Sequence, residues 1–172
     1  MSAHDRITKV RKSGSGKLNL GGCNLNCIPY EVWSLVNTTR LYLYNNLLTS
    51  VSPKIEGLTK LRFLSLSTNN LTTLPVEVAN LSALNYLDVS NNHRLLLGKE
   101  VAKIGKIKLS SYLTINDGTI EWVGRKFTLR ELEDYKGQGF DKPTRFFYHK
   151  KQALQYVNYR LDYLNNIKHY GE

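Results

Sequence analysis

The stretch that decides the fold is residues 61–75, which read Leu-Arg-Phe-Leu-Ser-Leu-Ser-Thr-Asn-Asn-Leu-Thr-Thr-Leu-Pro. Leu64 and Leu66 flank a single residue, and this spacing puts both leucines on one face of a short β-strand. The same pattern recurs along the chain at a step of 23 residues, in two leucine columns formed by Leu18, Leu41, Leu64 and Leu87 and by Leu20, Leu43, Leu66 and Val89. Each unit has an apolar face that it cannot bury alone. The repeat therefore predicts stacked units that form a parallel sheet over one continuous core.

One column of the repeat is polar although its neighbours are apolar. It contains Cys23, Asn46, Asn69 and Asn92. An asparagine amide both donates and accepts hydrogen bonds, which suits backbone groups in adjacent turns that would otherwise be buried without partners. We expect these four residues to form a structural ladder, and we expect Asn69→Ala to lower stability and not binding.

These columns resemble the leucine-rich repeat family, in its intracellular class with 23-residue units, over about residues 15–109. The resemblance implies an α/β fold: a short right-handed solenoid with a parallel β-sheet on its concave face, spanning residues 17–109. It also implies a non-enzymatic adaptor or scaffold that binds another protein, with no cofactor. The sequence departs from the family pattern at Ser15, Thr38, Ser52 and Arg94.

The two ends of the array need caps over the first and last strands. Residues 1–16 form a basic arm or cap, in which the alternation of Arg6 to Val10 predicts a short covering strand. At the other end Ile107 and Leu109 indicate a shortened fifth unit. Residues 110–172 resemble no family that we recognise.

In this C-terminal extension, Asn116-Asp117-Gly118 between two apolar stretches predicts a β-hairpin, because Asp-Gly suits a tight turn. A capping-box spacing at Thr128–Glu131 predicts a short helix. A long helix is predicted over Thr144 to Tyr170. This last helix either caps the array, binds a partner, or covers the concave face.

The residues between the strand leucines should point away from the core. They fall in three columns: Lys17, Arg40, Phe63 and Tyr86; Asn19, Tyr42, Ser65 and Asp88; and Gly21, Tyr44, Ser67 and Ser90. Aromatic residues and Arg are enriched in binding hot spots. We therefore expect a partner-binding surface formed by Arg40, Tyr42, Tyr44, Phe63, Tyr86 and Asp88. The alternative is that the rings only reflect the preference of aromatic residues for strands and for cross-strand pairs.

The net charge of +10, with a pI near 9.6, is concentrated in the N-terminal arm and at the end of the array. Nucleic acid is therefore an alternative partner, contacted through Lys9, Arg11, Lys12, Lys103 and Lys106. The other interpretation is a solvated surface with lysines that protect the end of the sheet. A further alternative is a structural subunit of a large assembly, such as a viral particle, held through its termini and through Trp33 on the convex side.

The sequence offers little support for catalysis or metal binding. Cys23 and Cys27 have no second pair, and the four histidines have no carboxylate or cysteine at ligand spacing. The start of the chain lacks the apolar segment of a signal peptide, and no stretch of roughly 18 apolar residues predicts a membrane span. We expect an intracellular, cytoplasmic protein, or one inside a virion or other assembly, without enzymatic activity, cofactor or metal.

Overall fold

The structure is a computed structural model that describes residues 1–92, 94–95, 97, 104, 106–110, 113–116, 119–122 and 125–128. One α-helix, α1 (Ala3–Ser13), precedes eight strands of a single sheet. The strands are β1 (Lys17–Asn19), β2 (Arg40–Tyr42), β3 (Phe63–Ser65), β4 (Tyr86–Asp88), β5 (Lys106–Ser110), β6 (Leu113–Asn116), β7 (Thr119–Trp122) and β8 (Arg125–Thr128). Three 3-10 helices lie between the early strands, at Tyr30–Ser34, Pro53–Gly57 and Val76–Val78.

Strands β1 to β5 are parallel and lie side by side in chain order. Lys17, Arg40, Phe63 and Tyr86 are register partners across β1 to β4, so the 23-residue step of the sequence is the step from strand to strand. Tyr86 then pairs with Lys106, a step of 20 residues. The predicted parallel sheet and its shortened fifth unit are confirmed.

The core lies on one side of this sheet and contains the leucine columns. Leu18, Leu41, Leu64, Leu87 and Ile107 are completely buried, as are Leu20, Leu43 and Leu66 of the second column. Apolar residues of the 3-10 helices, such as Val32, Ile55 and Val78, close the same core from the other side. Every unit therefore buries its strand leucines both against the segment that contains its own 3-10 helix and against the neighbouring units.

The N-terminal arm is a helix, and the prediction of a strand at Arg6 to Val10 is wrong. Ser2 and Asp5 form a capping box, and the helix ends at Gly14 with a left-handed φ of 65°. Ile7 is buried in the core, and Ala3 and Val10 pack against it, at the three- and four-residue spacing of a helix face. The capping residues at both ends of this segment were a better guide to its secondary structure than the polar–apolar alternation of Arg6 to Val10.

Arg6 of α1 also covers the free edge of the first strand. Its Nη1 atom donates to the carbonyl oxygens of Asn19 and Gly21, each at 3.2 Å. These oxygens belong to the last residue of β1 and to the residue two positions beyond it, and among the described residues β1 has no neighbouring strand on that side. The helix thus buries the first apolar layer and satisfies part of the exposed backbone edge.

Beyond β5 the sheet changes direction, because β6, β7 and β8 pair antiparallel in succession. Asn116 pairs with Thr119 in the antiparallel register of β6 and β7, which confirms the predicted hairpin. Strand β8 was not expected from the sequence. It contains Thr128, where a helix was predicted to begin; the rest of that helix and the long helix from Thr144 to Tyr170 lie outside the described residues.

Candidate functional site

The candidate site is the face of β1 to β4 opposite the leucine core, called here the concave face. It is formed by the residues that alternate with the buried leucines. Within each strand the central leucine is buried, while Lys17, Arg40, Tyr42, Phe63 and Tyr86 remain exposed or half-buried on either side of it. Alternation along the strand therefore separates the side chains of the site from those of the core.

Four rings on this face form one continuous row, called here the aromatic row: Tyr44, Tyr42, Phe63 and Tyr86. The rings of Phe63 and Tyr86, which are register partners, are stacked with centroids 4.7 Å apart and planes within 4° of parallel. Tyr42 lies 5.0 Å from Phe63 at a tilt of 37°, and Tyr44 meets Tyr42 edge to face at 6.5 Å. The sequence placed these rings in neighbouring columns, and the structure brings them into contact.

The ring of Tyr44 lies directly over Gly21, its neighbour in the third column. A Cβ atom added to Gly21 would overlap three carbons of that ring. Glycine at this position therefore leaves the space that the Tyr44 ring occupies at the end of the row. The repeat spacing places Gly21 in the third column. Its role, however, depends on the position of the Tyr44 ring and could not be deduced from that spacing.

Two cations lie beside the Tyr42 end of the row. Lys17 and Arg40 are both exposed and are register partners on β1 and β2. The Nζ atom of Lys17 lies 5.4 Å from the centroid of the Tyr42 ring, within range of a cation–π interaction. Lys17 was not included among the expected site residues, although its place in the first column beside Arg40 was a signal for it.

Asp88 occupies a different environment from the other expected site residues. Its side chain is only 9% exposed, and its Oδ1 atom accepts hydrogen bonds from the backbone N–H of Ser90 at 3.0 Å and from the Ser90 hydroxyl at 2.6 Å. Burial, together with the nearby Asp88 carboxylate, raises the pKa of the Tyr86 hydroxyl. Asp88 is therefore largely buried and bonded within the protein.

The polar column forms a ladder of buried amides on the next turn of each unit. Asn69 shows the pattern: its Oδ1 accepts from the N–H of Leu48, while its Nδ2 lies 2.9–3.2 Å from the carbonyl oxygens of Leu43, Leu66 and Ser67. Asn46 and Asn92 repeat this arrangement one unit to either side. Cys23, in the first unit, contacts the carbonyl oxygen of Gly21 through its sulfur at 3.7 Å.

The residues expected to contact nucleic acid are only partly described. Lys9, Arg11 and Lys12 are exposed on α1, and Arg11 and Lys12 lie in its last turn, where positive charge also favours the helix dipole. Lys106 is the register partner of Tyr86 on β5, while Lys103 lies outside the described residues. The structure therefore separates the arm from the end of the array: α1 packs beside β1, four strands away from β5.

Within the described part of the chain, no group of three or more His, Cys, Asp or Glu residues is arranged to hold a metal ion. The described residues also include no helix that is long and apolar enough to cross a membrane. Cys23 and Cys27 are free thiols.

Comparison with known proteins shows which family the repeats match. Residues 36–93, about a third of the chain, match the family described as Leucine rich repeat. None of the curated proteins matches the chain.

Among solved structures, the chain is similar to a leucine-rich repeat protein of Leptospira interrogans, with 23% identity and a TM-score of 0.43, over 60% of this chain and 34% of that one. It is also similar to an internalin of Listeria monocytogenes, with 18% identity and a TM-score of 0.37, over 59% of this chain and 46% of that one. A plant peptide hormone receptor, solved in complex with the ligand RGF2, is similar at 19% identity and a TM-score of 0.38, over 48% of this chain and 18% of the receptor. The chain thus spans less than half the length of each of these proteins.

Proposed function

The protein is a leucine-rich repeat protein, and we propose that it is a non-enzymatic adaptor that binds a partner protein through the aromatic row on its concave face. Repeats of this kind are in general protein-interaction modules, and solenoids use their extended concave surfaces for binding. The observation that carries the proposal is the contact of four rings in one row on the side of the sheet that faces away from the core.

The energetics of the row support binding over folding. The leucines of the same strands already fill the core, and ring pairs across strands contribute only about 0.2–1 kcal/mol each. Rings buried at an interface, by contrast, are among the side chains that dominate binding energy. A row of partly exposed rings therefore contributes little to folding stability, whereas its burial by a partner would contribute much to binding energy.

The test is lysine cross-linking mass spectrometry on the protein with extracts of cells that make it. Lys17 lies at the row, while Lys54 and Lys60 lie in or after the second 3-10 helix, away from the row. We expect partner links at Lys17 in the natural protein and their loss when Tyr42, Tyr44, Phe63 and Tyr86 are all replaced by Ala.

The matched control replaces three exposed apolar residues away from the row, Tyr30, Val36 and Val76, with Ala. This variant should retain the Lys17 links. Circular dichroism and thermal melting of both variants establish that they are folded. Links at Lys17 that survive the loss of all four rings would contradict the proposal.

A second candidate function is nucleic-acid binding through α1, favoured by the exposure of Lys9, Arg11 and Lys12. Binding through phosphate contacts weakens steeply with salt, roughly in proportion to the number of contacts. Three contacts would give a slope of about −2 to −3 when the logarithm of affinity for a fluorescent oligonucleotide is plotted against the logarithm of salt concentration. A flat salt dependence, or no binding at low salt, would exclude this function.

A further inference from the structure

The side chains in the first column of the concave face change from charged to aromatic along the column. In register order it contains Lys17, Arg40, Phe63 and Tyr86: two exposed cations followed by two stacked rings. Like charges directly opposite each other on neighbouring strands are unfavourable. In the described part of the chain neither Lys17 nor Arg40 has an ion-pair partner. Among the described residues, this face therefore has positive charge without an ion-pair partner beside an apolar surface.

The acidic residues of the described repeats do not compensate this charge. Glu31, Glu56 and Glu77 lie in the three 3-10 helices, which pack on one another along the other side of the solenoid. The carboxylate in β1 to β4 belongs to Asp88, which is buried and bonded to Ser90. A ligand that brings carboxylates to Lys17 and Arg40 would supply the missing negative charge.

The orientation of the rings favours a peptide over a nucleic acid. Phe63 and Tyr86 are stacked across adjacent strands, so their planes lie across the direction from strand to strand and their faces are turned toward each other. The face of Tyr42 has Lys17 over it. Nucleic-acid platforms bind bases on open ring faces. With these faces occupied, the rings of Phe63 and Tyr42 present mainly their edges to a ligand, and ring edges contact the apolar side chains of a peptide.

The size of the surface limits the ligand. Neighbouring strands are about 4.8 Å apart, so the column from Lys17 to Tyr86 is about 14 Å long. An extended peptide advances about 3.3 Å per residue. Four or five residues therefore cover the column.

We infer that the partner presents a short extended segment of four to five residues, acidic at one end and apolar at the other, which binds across β1 to β4. Its carboxylates contact Lys17 and Arg40, and its apolar side chains contact Phe63 and Tyr86. This inference rests on the proposed function, because it names the chemistry of the ligand for the aromatic row.

The test is selection of a phage-displayed random heptapeptide library on the full-length protein. We expect enriched peptides with two carboxylates adjacent to apolar residues. A fluorescent copy of the most enriched peptide should bind at least tenfold more weakly to the double variant Lys17→Glu, Arg40→Glu. The same double variant, used in its own selection, should enrich Lys and Arg at the positions of the carboxylates.

The matched control, Lys54→Glu with Lys60→Glu, makes the same change in net charge away from the row and should select acidic peptides as before. Peptides that require the rings but show no acidic preference would overturn the inference and leave the proposed function standing. Absence of any enriched peptide would also overturn it, with the cross-links at Lys17 deciding the proposed function separately. Binding unaffected by loss of the rings would contradict both, and tighter binding of fluorescent oligouridine at the same face would identify a nucleic acid as the ligand.

Discussion

The asparagine ladder and the aromatic row follow the same 23-residue step, yet they differ in how much the repeat constrains them. Each ladder position from Asn46 to Asn92 has the same residue and the same backbone partners in its own and the preceding unit. The first column of the concave face changes from Lys to Arg to Phe to Tyr over the same units. Columns that bond to the repeat itself are uniform, whereas columns that face away from it vary. The contrast separates the residues that specify the fold from those available for a ligand.

The largest expected effect is on the ladder. Asn69→Ala removes four hydrogen bonds, three of them buried, and leaves their backbone partners without a replacement, which we expect to lower the free energy of unfolding by about 3–5 kcal/mol. Urea denaturation measures this loss. Peptide affinity at temperatures where the variant is folded should be unchanged, and a loss of affinity equal to that of the ring variant would break the distinction between the two regions.

Replacement of Thr38 by valine should change stability in the opposite direction and raise it. Thr38 stands where later units have the buried Leu61 and Leu84, and its own side chain is 1% exposed, with an Oγ1 atom that has no hydrogen-bond partner in the described structure. Replacing the hydroxyl by a methyl group in Thr38→Val keeps the shape and should raise stability by about 1–2 kcal/mol. Thr38→Ser, which retains the hydroxyl and loses the methyl group, is the matched control and should be destabilised. A destabilised Val variant would show that the hydroxyl has a role in the fold.

The N-terminal cap adds a smaller contribution that depends on pH. Ser2→Ala removes the capping side chain of α1 and should reduce stability by about 1 kcal/mol. Hydrogen bonding with the side chain and backbone of Ser2 lowers the pKa of the Asp5 carboxyl. Because the folded pKa lies below the unfolded one, this contribution is complete above about pH 4 and is lost as the pH falls through the folded pKa.

The pH dependence of this cap can be measured by urea denaturation between pH 2 and pH 6. Asp5→Asn should give a shallower decline in stability toward acid than the natural protein. Equal slopes for the two proteins would show that the capping box does not contribute to acid sensitivity.

The smallest expected effect on stability is at Gly21. In Gly21→Ala the new methyl group displaces the far end of the Tyr44 side chain, which can rotate away at a cost below about 1 kcal/mol. Peptide affinity should nevertheless fall, because Tyr44 leaves its edge-to-face contact with Tyr42. Titration with the selected peptide, beside a melting curve, checks both quantities; an unchanged affinity would remove Tyr44 from the site.

The sequence predicted the sheet, its register and the row of rings because all three follow from the spacing of leucines. It failed at the N-terminus, where the alternation from Arg6 to Val10 suggested a strand. The capping box of Ser2 and Asp5, and Gly14 beyond the last turn, were the stronger local signals, and burial of Ile7 against the first layer fixed the outcome.

Features that depend on contacts between units were not accessible from the sequence in the same way. The position of Lys17 over Tyr42, the fit of Tyr44 over Gly21 and the bonds from Arg6 to the edge of β1 each join residues whose proximity is set by tertiary packing. The bond from Ser90 to Asp88 joins residues two apart and is of a kind that a local pattern can indicate.

The sheet has a helix against β1 and antiparallel strands after β5, and this arrangement bears on how such a protein can change length over evolutionary time. Units added outside either boundary would have to displace α1 or the hairpin. Duplication of an internal segment such as residues 61–83 would instead insert one more strand between two that already match it in register. Each such event would lengthen the concave face by about 4.8 Å, slightly more than one extended residue, and would leave both boundaries as they are.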